Sequence, residues 1–403
     1  MSTRNFSRRE FIGMSSLAGL GLALSNVPLL AQSPAATKIG GGALATSKKF
    51  KMGIIGCGNR SRAIIGALNS VPEIEMTAFC DLVPNKAQAR AAECIKNGAK
   101  PRFFTDMNEM LKMSELDCIA VITPSDTHKD IVIAALDAGK HVFCEKPMAL
   151  TVADCNEMIN VNKRSGKALQ FGTQRRHSPE YKALIEAIRT KPVGKILQSS
   201  LFDFRGDWRV PAPDEFPAGT PYWRLDQKRS GGVVFEMGAH IIDVNNWVFD
   251  SEPVSVCSLQ GVNNFTLRKR DSSDHAGVVV EYANGAMMNY GGNVYNYGSQ
   301  ALDTFFGENA TLQMGNGMLS IKYGFPPGFP KPKDLPKAEQ ISLVGNNREG
   351  DGVVEELQYF AQVMDGKQKP YPDGSIARQA VQVMEGANRS AQERRVIDVK
   401  ELG

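Results

Sequence analysis

Four stretches of this sequence carry residue types and spacings that can do chemistry. In Val233–Phe249, the residues Glu236, His240, Asp243 and Trp247 recur at intervals of three and four, one stripe of a helix. Val234, Met237, Ile241, Val244 and Val248 form a second, apolar stripe that anchors the helix and leaves the first without a packing reason. A carboxylate one turn before a histidine can orient the ring and make it more basic, so Glu236 and His240 read as a proton-transfer pair. Gly231-Gly232 just ahead of them lets a ring or another backbone approach closely. The second stretch, Glu145-Lys146-Pro147, puts a charged pair directly after the apolar run His141–Cys144. In the third, Thr123-Pro124-Ser125 ends another apolar run and His128 follows, either as a ligand contact or as a capping and packing residue. The fourth is Gly56-Cys57-Gly58, whose glycines permit a tight turn and a close approach to a pyrophosphate.

These residues need elements to hold them. Met52–Ile55 reads as a buried strand and Asn59–Asn69 as the helix after it. Asn59 and Arg60 then open a helix whose N–H groups and dipole face the anion. Ser61 stands where the dinucleotide fingerprint has its third glycine. A second apolar strand, Met76–Cys80, ends at Asp81, where an acid accepts hydrogen bonds from an adenosine ribose. A cap for a helix starting near Asn85 is the other reading of Asp81. Strand, turn, helix, strand and acid together predict a nicotinamide dinucleotide cofactor. No arginine follows Asp81 at once to meet a second ribose phosphate, which favours NAD over NADP. Strands and helices alternate as far as Ala168–Gly172, predicting a Rossmann doubly wound parallel sheet over residues 50–172. Residues 173–403 carry helices at both ends and strand-like runs over Val254–Tyr323 broken by Asn-Gly and Gly-Gly dipeptides. That pattern predicts an α+β substrate-binding domain with a mostly antiparallel open sheet. Ligands of doubly wound sheets bind outside the carboxyl ends of the strands, where Thr123-Pro124 and Glu145-Lys146 fall.

Composition bounds the partners. At 403 residues there is room for two domains, and a scattered net charge of +4 argues against nucleic acid. Seven cysteines, at 57, 80, 94, 118, 144, 155 and 257, show neither metal-ligand nor CxxC spacing, so no metal is expected. Ser7-Arg8-Arg9-Glu10 precedes the uncharged stretch Phe11–Ala31, which ends at Leu29-Leu30-Ala31. Residues 1–31 therefore read as a twin-arginine export signal, because glycines, serines and Pro28 dilute the run too much for a membrane anchor. Residues 32–49 read as a linker. Export in the folded state, to the periplasm where the cell has an outer membrane, means that the cofactor is inserted beforehand.

The Gly56–Gly58 turn, Asp81, Thr123-Pro124 with His128, Glu145-Lys146-Pro147, and Gly231-Gly232 leading to Glu236, His240 and Asp243 resemble one family as a set. That family is the Gfo/Idh/MocA oxidoreductases, the glucose–fructose oxidoreductase and inositol dehydrogenase group, and the resemblance runs over about residues 50–400. It implies that Lys146 works beside the nicotinamide together with Glu236 and His240, Glu236 standing where the family usually has Asp. It also implies that Gln174-Arg175-Arg176 lines the cofactor–substrate cleft. The cofactor is then expected to touch the Gly56–Arg60 turn, Asp81, Thr123, Pro124, His128, Glu145, Lys146 and Gln174. On this reading His240 removes the proton of a sugar, glycoside or cyclitol hydroxyl as hydride leaves for the nicotinamide. Lys146 donates a hydrogen bond to that oxygen, and Glu236 orients His240. Arg176, Trp208, Trp223, Arg224 and Asp243 are the candidates for gripping the carbohydrate. Two further functions stay open: a redox-neutral glycoside hydrolase or lyase, as in glycoside hydrolase family 109, and a non-catalytic NAD-binding sensor. A homo-oligomer built through the C-terminal sheet is expected, with no nucleic acid partner and no stable membrane anchor.

Overall fold

The computed structural model describes residues 48–403 apart from 96–99, 208–211, 213–215, 217–219, 221, 264–268, 316, 325–335 and 344–351. The export-signal reading, nearly all of the linker and Trp208 lie outside the described residues.

Six parallel strands build the first sheet: β1 (Phe50–Ile55), β2 (Ile74–Cys80), β3 (Arg102–Phe104), β4 (Cys118–Val121), β5 (His141–Glu145) and β6 (Leu169–Gly172). Their order is β3-β2-β1-β4-β5-β6. Helices α1 (Asn59–Leu68), α2 (Pro84–Ile95), α3 (Met107–Leu111), α4 (His128–Asp137) and α5 (Val152–Ser165) connect them. Both faces are covered, so the central strands are apolar almost without a break, and Met52, Ile54, Ile119 and Phe143 are wholly buried. β3 is three residues long and partly exposed, too short for any period to announce it. The strand order reverses between β1 and β4, and the crevice outside their carboxyl ends lies between Gly56–Gly58 and Thr123-Pro124.

The rest of the chain forms a larger sheet. After α6 (Pro179–Thr190) come β7 (Ile196–Gly206), the short α7 (Gln227–Ser230), and a π-helical turn, Val234–Gly238, that runs into α8 (Ala239–Phe249). Strands β8 (Pro253–Gly261), β9 (His275–Tyr282), β10 (Met287–Asn293), β11 (Tyr295–Gly307), β12 (Ala310–Gly315), β13 (Met318–Tyr323), β14 (Glu339–Ser342) and the C-terminal β15 (Ile397–Asp398) complete it. The order is β14-β13-β12-β11-β7-β10-β9-β8-β15, antiparallel except where β10 runs beside β7. Strict alternation splits its faces: Val256, Val280, Met288 and Leu312 are buried, whereas Phe202, Leu259, Val279, Met287 and Leu302 point outward and are exposed.

Two helices close the chain, α9 (Val353–Met364) and α10 (Gly374–Glu393). The apolar side of α9 joins the core of the first sheet, with Phe360 packed 5.9 Å from the Phe143 ring. A boundary at residue 172 thus separates the two sheets but not all that covers them: α9, read from the sequence as part of the second domain, returns to cover the first sheet.

Candidate active site

The glycine turn is shaped for an anion. Gly56 sits at φ +94°, and a Cβ there would lie 2.4 Å from the Ile122 carbonyl oxygen, so only glycine fits. A Cβ at Gly58 would meet nothing within 4 Å, leaving its outer side open to a ligand. Gly58 is the N-cap of α1 and gives no side-chain cap, so the first-turn N–H groups stay available at the positive end of the dipole. Asn59 is exposed there and Ser61 is fully buried, its Oγ donating to the Gly58 carbonyl at 2.6 Å. Asp81 braces this turn: Oδ2 accepts the Cys57 N–H at 2.8 Å and Oδ1 the Val83 N–H at 2.9 Å. Each oxygen keeps a lone pair for a ribose hydroxyl. These features fit a dinucleotide.

Two expected cofactor contacts are instead structural. Glu145 is buried, with one oxygen 2.5 Å from Arg60 Nε and the other accepting the Lys146 N–H at 3.1 Å. Its ionic partner is Arg60 from α1, not the neighbouring lysine. His128 is also buried, its two ring nitrogens 2.8 Å from the Pro147 carbonyl and 3.0 Å from that of Thr123. It ties the two strand-end turns together rather than facing the crevice. Gln174 is buried beside them.

Lys146, just past β5, and His240 on α8 lie within charge reach of each other. Lys146 Nζ donates to the Glu236 carbonyl oxygen at 2.8 Å, one turn before His240. Burial lowers the Lys146 ammonium below its ordinary range, against the pull of Glu236 and Glu145 and helped by Arg224 and Arg60. Burial also lowers His240 well below a free histidine, and Lys146, Arg175 and Arg60 add to the effect. His240 Nδ1 has no hydrogen-bond partner. Glu236 does not orient it: its Oε2 takes Arg224 Nε at 2.7 Å. Glu236 stands in the π-helical turn, and His240 in the α-helix that follows it. A neutral imidazole and a lysine of lowered pKa, each within charge reach of the other, can hold and move a hydroxyl proton.

Residues 50–173 match the family described as "Oxidoreductase family, NAD-binding Rossmann fold", and residues 181–313 match the GFO/IDH/MocA C-terminal domain. The chain belongs to the Gfo/Idh/MocA family. Among its relatives is an inositol 2-dehydrogenase/D-chiro-inositol 3-dehydrogenase of Lactiplantibacillus plantarum, 29% identical over 53% of this chain and 56% of the relative. A myo-inositol 2-dehydrogenase of Thermotoga maritima is 24% identical over 88% of this chain and 99% of its own length. The chain spans just over half the length of the first of these. In fold it is similar to an oxidoreductase of Agrobacterium radiobacter solved with NAD+, L-tartaric acid and magnesium. That likeness has a TM-score of 0.73 and 16% identity, over 88% of this chain and all of the other.

In this Gfo/Idh/MocA chain the residues expected to grip a substrate divide. Arg176 and Asp243 are spent on each other: Arg176 Nε lies 2.8 and 3.0 Å from the Asp243 carboxylate oxygens, Nη2 3.2 Å from its carbonyl and Nη1 3.0 Å from Tyr371 Oη. Both are at most 3% exposed, and their polar groups are taken up by each other and by Tyr371. Arg224 stacks on Trp223, 4.6 Å from the ring, and also donates to Tyr222 Oη at 3.0 Å, beside Glu236. Asp203 and Tyr290 went unnamed in the sequence reading, whereas Arg175 was expected in the cleft lining. Arg175 lies within charge reach of His240. Asp203 on β7 feels Lys146, Arg175 and Arg205, although burial pushes its carboxyl up overall. Tyr290 on β10 has a buried hydroxyl without a hydrogen-bond partner. Strand parity offered one signal, since Asp203 shares the inward face of β7 with Ser199 and Leu201.

Proposed function

We propose that this protein is an NAD-dependent oxidoreductase that transfers hydride from a hydroxyl-bearing carbon of a sugar, glycoside or cyclitol. The observation that carries the reading is Lys146 Nζ bonded to the Glu236 carbonyl, one turn before His240, whose Nδ1 has no partner and which feels the Lys146 charge. NAD bound in the crevice at the Gly56–Gly58 turn supplies the hydride acceptor. Gly58 and the α1 N–H groups hold its pyrophosphate, and Asp81 offers its free lone pairs to the adenosine ribose. Lys146 donates to the substrate oxygen and stabilises charge as it develops, while neutral His240 takes the proton. Asp203, Arg175 and Tyr290 supply acceptors and donors for further hydroxyls. The inositol dehydrogenases among the relatives support a polyhydroxylated substrate, and Asp81 supports NAD over NADP.

We also propose that the protein is exported through the twin-arginine route and keeps its cofactor across turnovers. Little free dinucleotide is available outside the cytoplasmic membrane, so the cycle must return the cofactor to its starting state. That supports either oxidation coupled to reduction of a second substrate or the second reading, oxidation followed by elimination and reduction on one glycoside. A homo-oligomer formed through the outer face of the larger sheet is proposed too, on the strength of Phe202, Val279, Met287 and Leu302 exposed there together. The deciding experiment purifies the protein without added cofactor, assays retained NAD, then supplies polyols and glycosides while following nicotinamide absorbance. Accumulating reduced cofactor with a polyol supports the dehydrogenase; glycoside cleavage without net absorbance change supports the second reading. Protein that neither retains nor binds NAD overturns both.

A further inference from the structure

Behind the catalytic pair lies a second carboxyl group with no evident partner. Phe360 on α9 packs against Phe143 on β5, and Gly352 at the start of α9 lies against the Gln174 carbonyl, past the end of β6. Moving from Phe360 toward Gly352 therefore moves toward the carboxyl ends of the strands. Glu356, one turn from Phe360, comes to lie over the strand position beyond Phe143 on the same face, which is Glu145. On β6, Gln170 pairs with Phe143 and Gly172 with Glu145. Gln170 Nε2 donates to the Glu356 carbonyl at 3.2 Å, and the missing side chain at Gly172 makes room for the Glu145 carboxylate.

Glu356 is 0% exposed, and neither of its carboxyl oxygens has a hydrogen-bond partner. Gln170 Oε1, Thr173 Oγ1 and Gln174 Oε1, all buried nearby in sequence on β6 and the turn after it, are also without partners. Buried polar atoms cost too much to be left unmatched, and two to four of them are what an internal water requires. The charged groups facing Glu356 are Arg60 from α1, Glu145 from β5 and Asp243 from α8. Arg60 already sits on Glu145, and Asp243 on Arg176. An ionised Glu356 would add a second negative charge against Glu145 with no cation of its own.

We propose that Glu356 carries its proton in the working enzyme and, with Gln170, Thr173 and Gln174, encloses ordered water behind the Glu145–Arg60 pair, making it a positioning residue for Lys146. The neutral acid can donate to water that other acceptors share, and it leaves the Glu145 carboxylate undisturbed on Arg60 and the Lys146 amide. Its effect on turnover rests on the role given to Lys146 above; its protonation does not. Burial, then Glu145, pushes this carboxyl well up. An unfolded glutamate ionises near pH ~4.3. The folded chain keeps the proton to higher pH, so this group's stability is fully present below that point and is lost as pH rises toward the folded value.

The test compares wild type with Glu356→Gln, which fixes the neutral shape, and Glu356→Ala, which empties it. Difference infrared spectra near neutral pH should show a protonated carboxylic acid in wild type that is missing in E356Q. The melting temperature of E356Q should exceed that of wild type by a margin that widens as pH rises from mildly acid to mildly alkaline. In turnover E356Q should rescue what E356A loses, about tenfold, as expected for removal of a supporting group. Absence of the acid band, a pH-independent melting difference, or losses in E356Q as deep as in E356A would overturn the proposal. If E356A does not fold, the infrared and melting comparisons on E356Q still decide it. An intact acid band in a protein that turns over no carbohydrate would sink the functional reading and leave this one standing.

Discussion

His240 and Asp243 stand three residues apart on α8, and their surroundings are opposed. Asp243 is sealed against Arg176, which uses Nε and Nη2 on it and Nη1 on Tyr371. His240 faces Lys146, Arg175 and Arg60, with a ring nitrogen that nothing in the protein satisfies. The sealed pair fastens the segment after β6 to α8, so that the cleft has a fixed wall. On the proposed function, the open side is left unfinished because its partner is the substrate. A polar residue in this chain is therefore read by what it lacks as much as by what it touches.

The largest effect should come from the open side. Lys146→Ala and His240→Ala should each lower kcat by at least ~10²-fold with NAD affinity retained, the usual cost of losing a positioned acid–base group. Because His240 is held well below its ordinary value, no activity limb should centre near ~6.5, the free histidine value. A pH–rate profile with such a limb, abolished in H240A, would show that the ring is more exposed to water than its burial implies. On the sealed side, Asp243→Ala should leave Arg176 charged and buried without its carboxylate, at about 3–5 kcal/mol of stability by denaturant unfolding. A paired Arg176→Met, Asp243→Leu variant should recover most of that loss. If D243A instead kept its stability and raised KM for carbohydrate, Asp243 would return to the substrate side and the contrast would collapse.

Much of this was legible beforehand, for reasons that differ by residue. The first sheet announced itself because strands buried on both faces are apolar throughout, and Gly56 because no other residue fits its turn. The apolar stripe from Val234 to Val248 is buried as its spacing predicts. Spacing failed for Glu236, whose carboxylate takes Arg224, twelve residues earlier in the chain, rather than His240. It failed for Arg176 and Asp243 because their partners lie 67 residues apart in sequence. Periodicity says which residues share a face; it is silent on which distant side chain arrives to pair with them. Asp203 and Tyr290 share that difficulty, standing on two strands with no motif between them.

Glu236 lies between the two regimes, paired but beside the cleft, and its effect should be intermediate. Glu236→Gln should cost about tenfold in kcat by loosening Arg224 and shifting the charge balance around Lys146. Glu236→Asp keeps the charge and should cost less. Equal losses in steady-state kinetics would mean that the carboxylate's charge does not reach Lys146 at all.

The smallest effect tests the cradle. If Ser61 were only a tolerated stand-in for a third glycine, Ser61→Gly would let α1 settle closer to β1 and tighten NAD binding. The structure gives Ser61 a task instead: it is fully buried and donates to the Gly58 carbonyl at 2.6 Å, bracing the residue next to which the pyrophosphate must lie. Ser61→Ala removes that one hydrogen bond, worth about 1 kcal/mol, and should weaken NAD binding only a few-fold. Ser61→Gly removes the bond and adds a glycine's helix penalty, also about 1 kcal/mol, so it should bind NAD no tighter than S61A and melt lower. Titration of the cofactor-free variants, with melting curves alongside, separates the cases. Tighter NAD binding by S61G than by wild type would mean that the serine obstructs the turn it is credited with bracing.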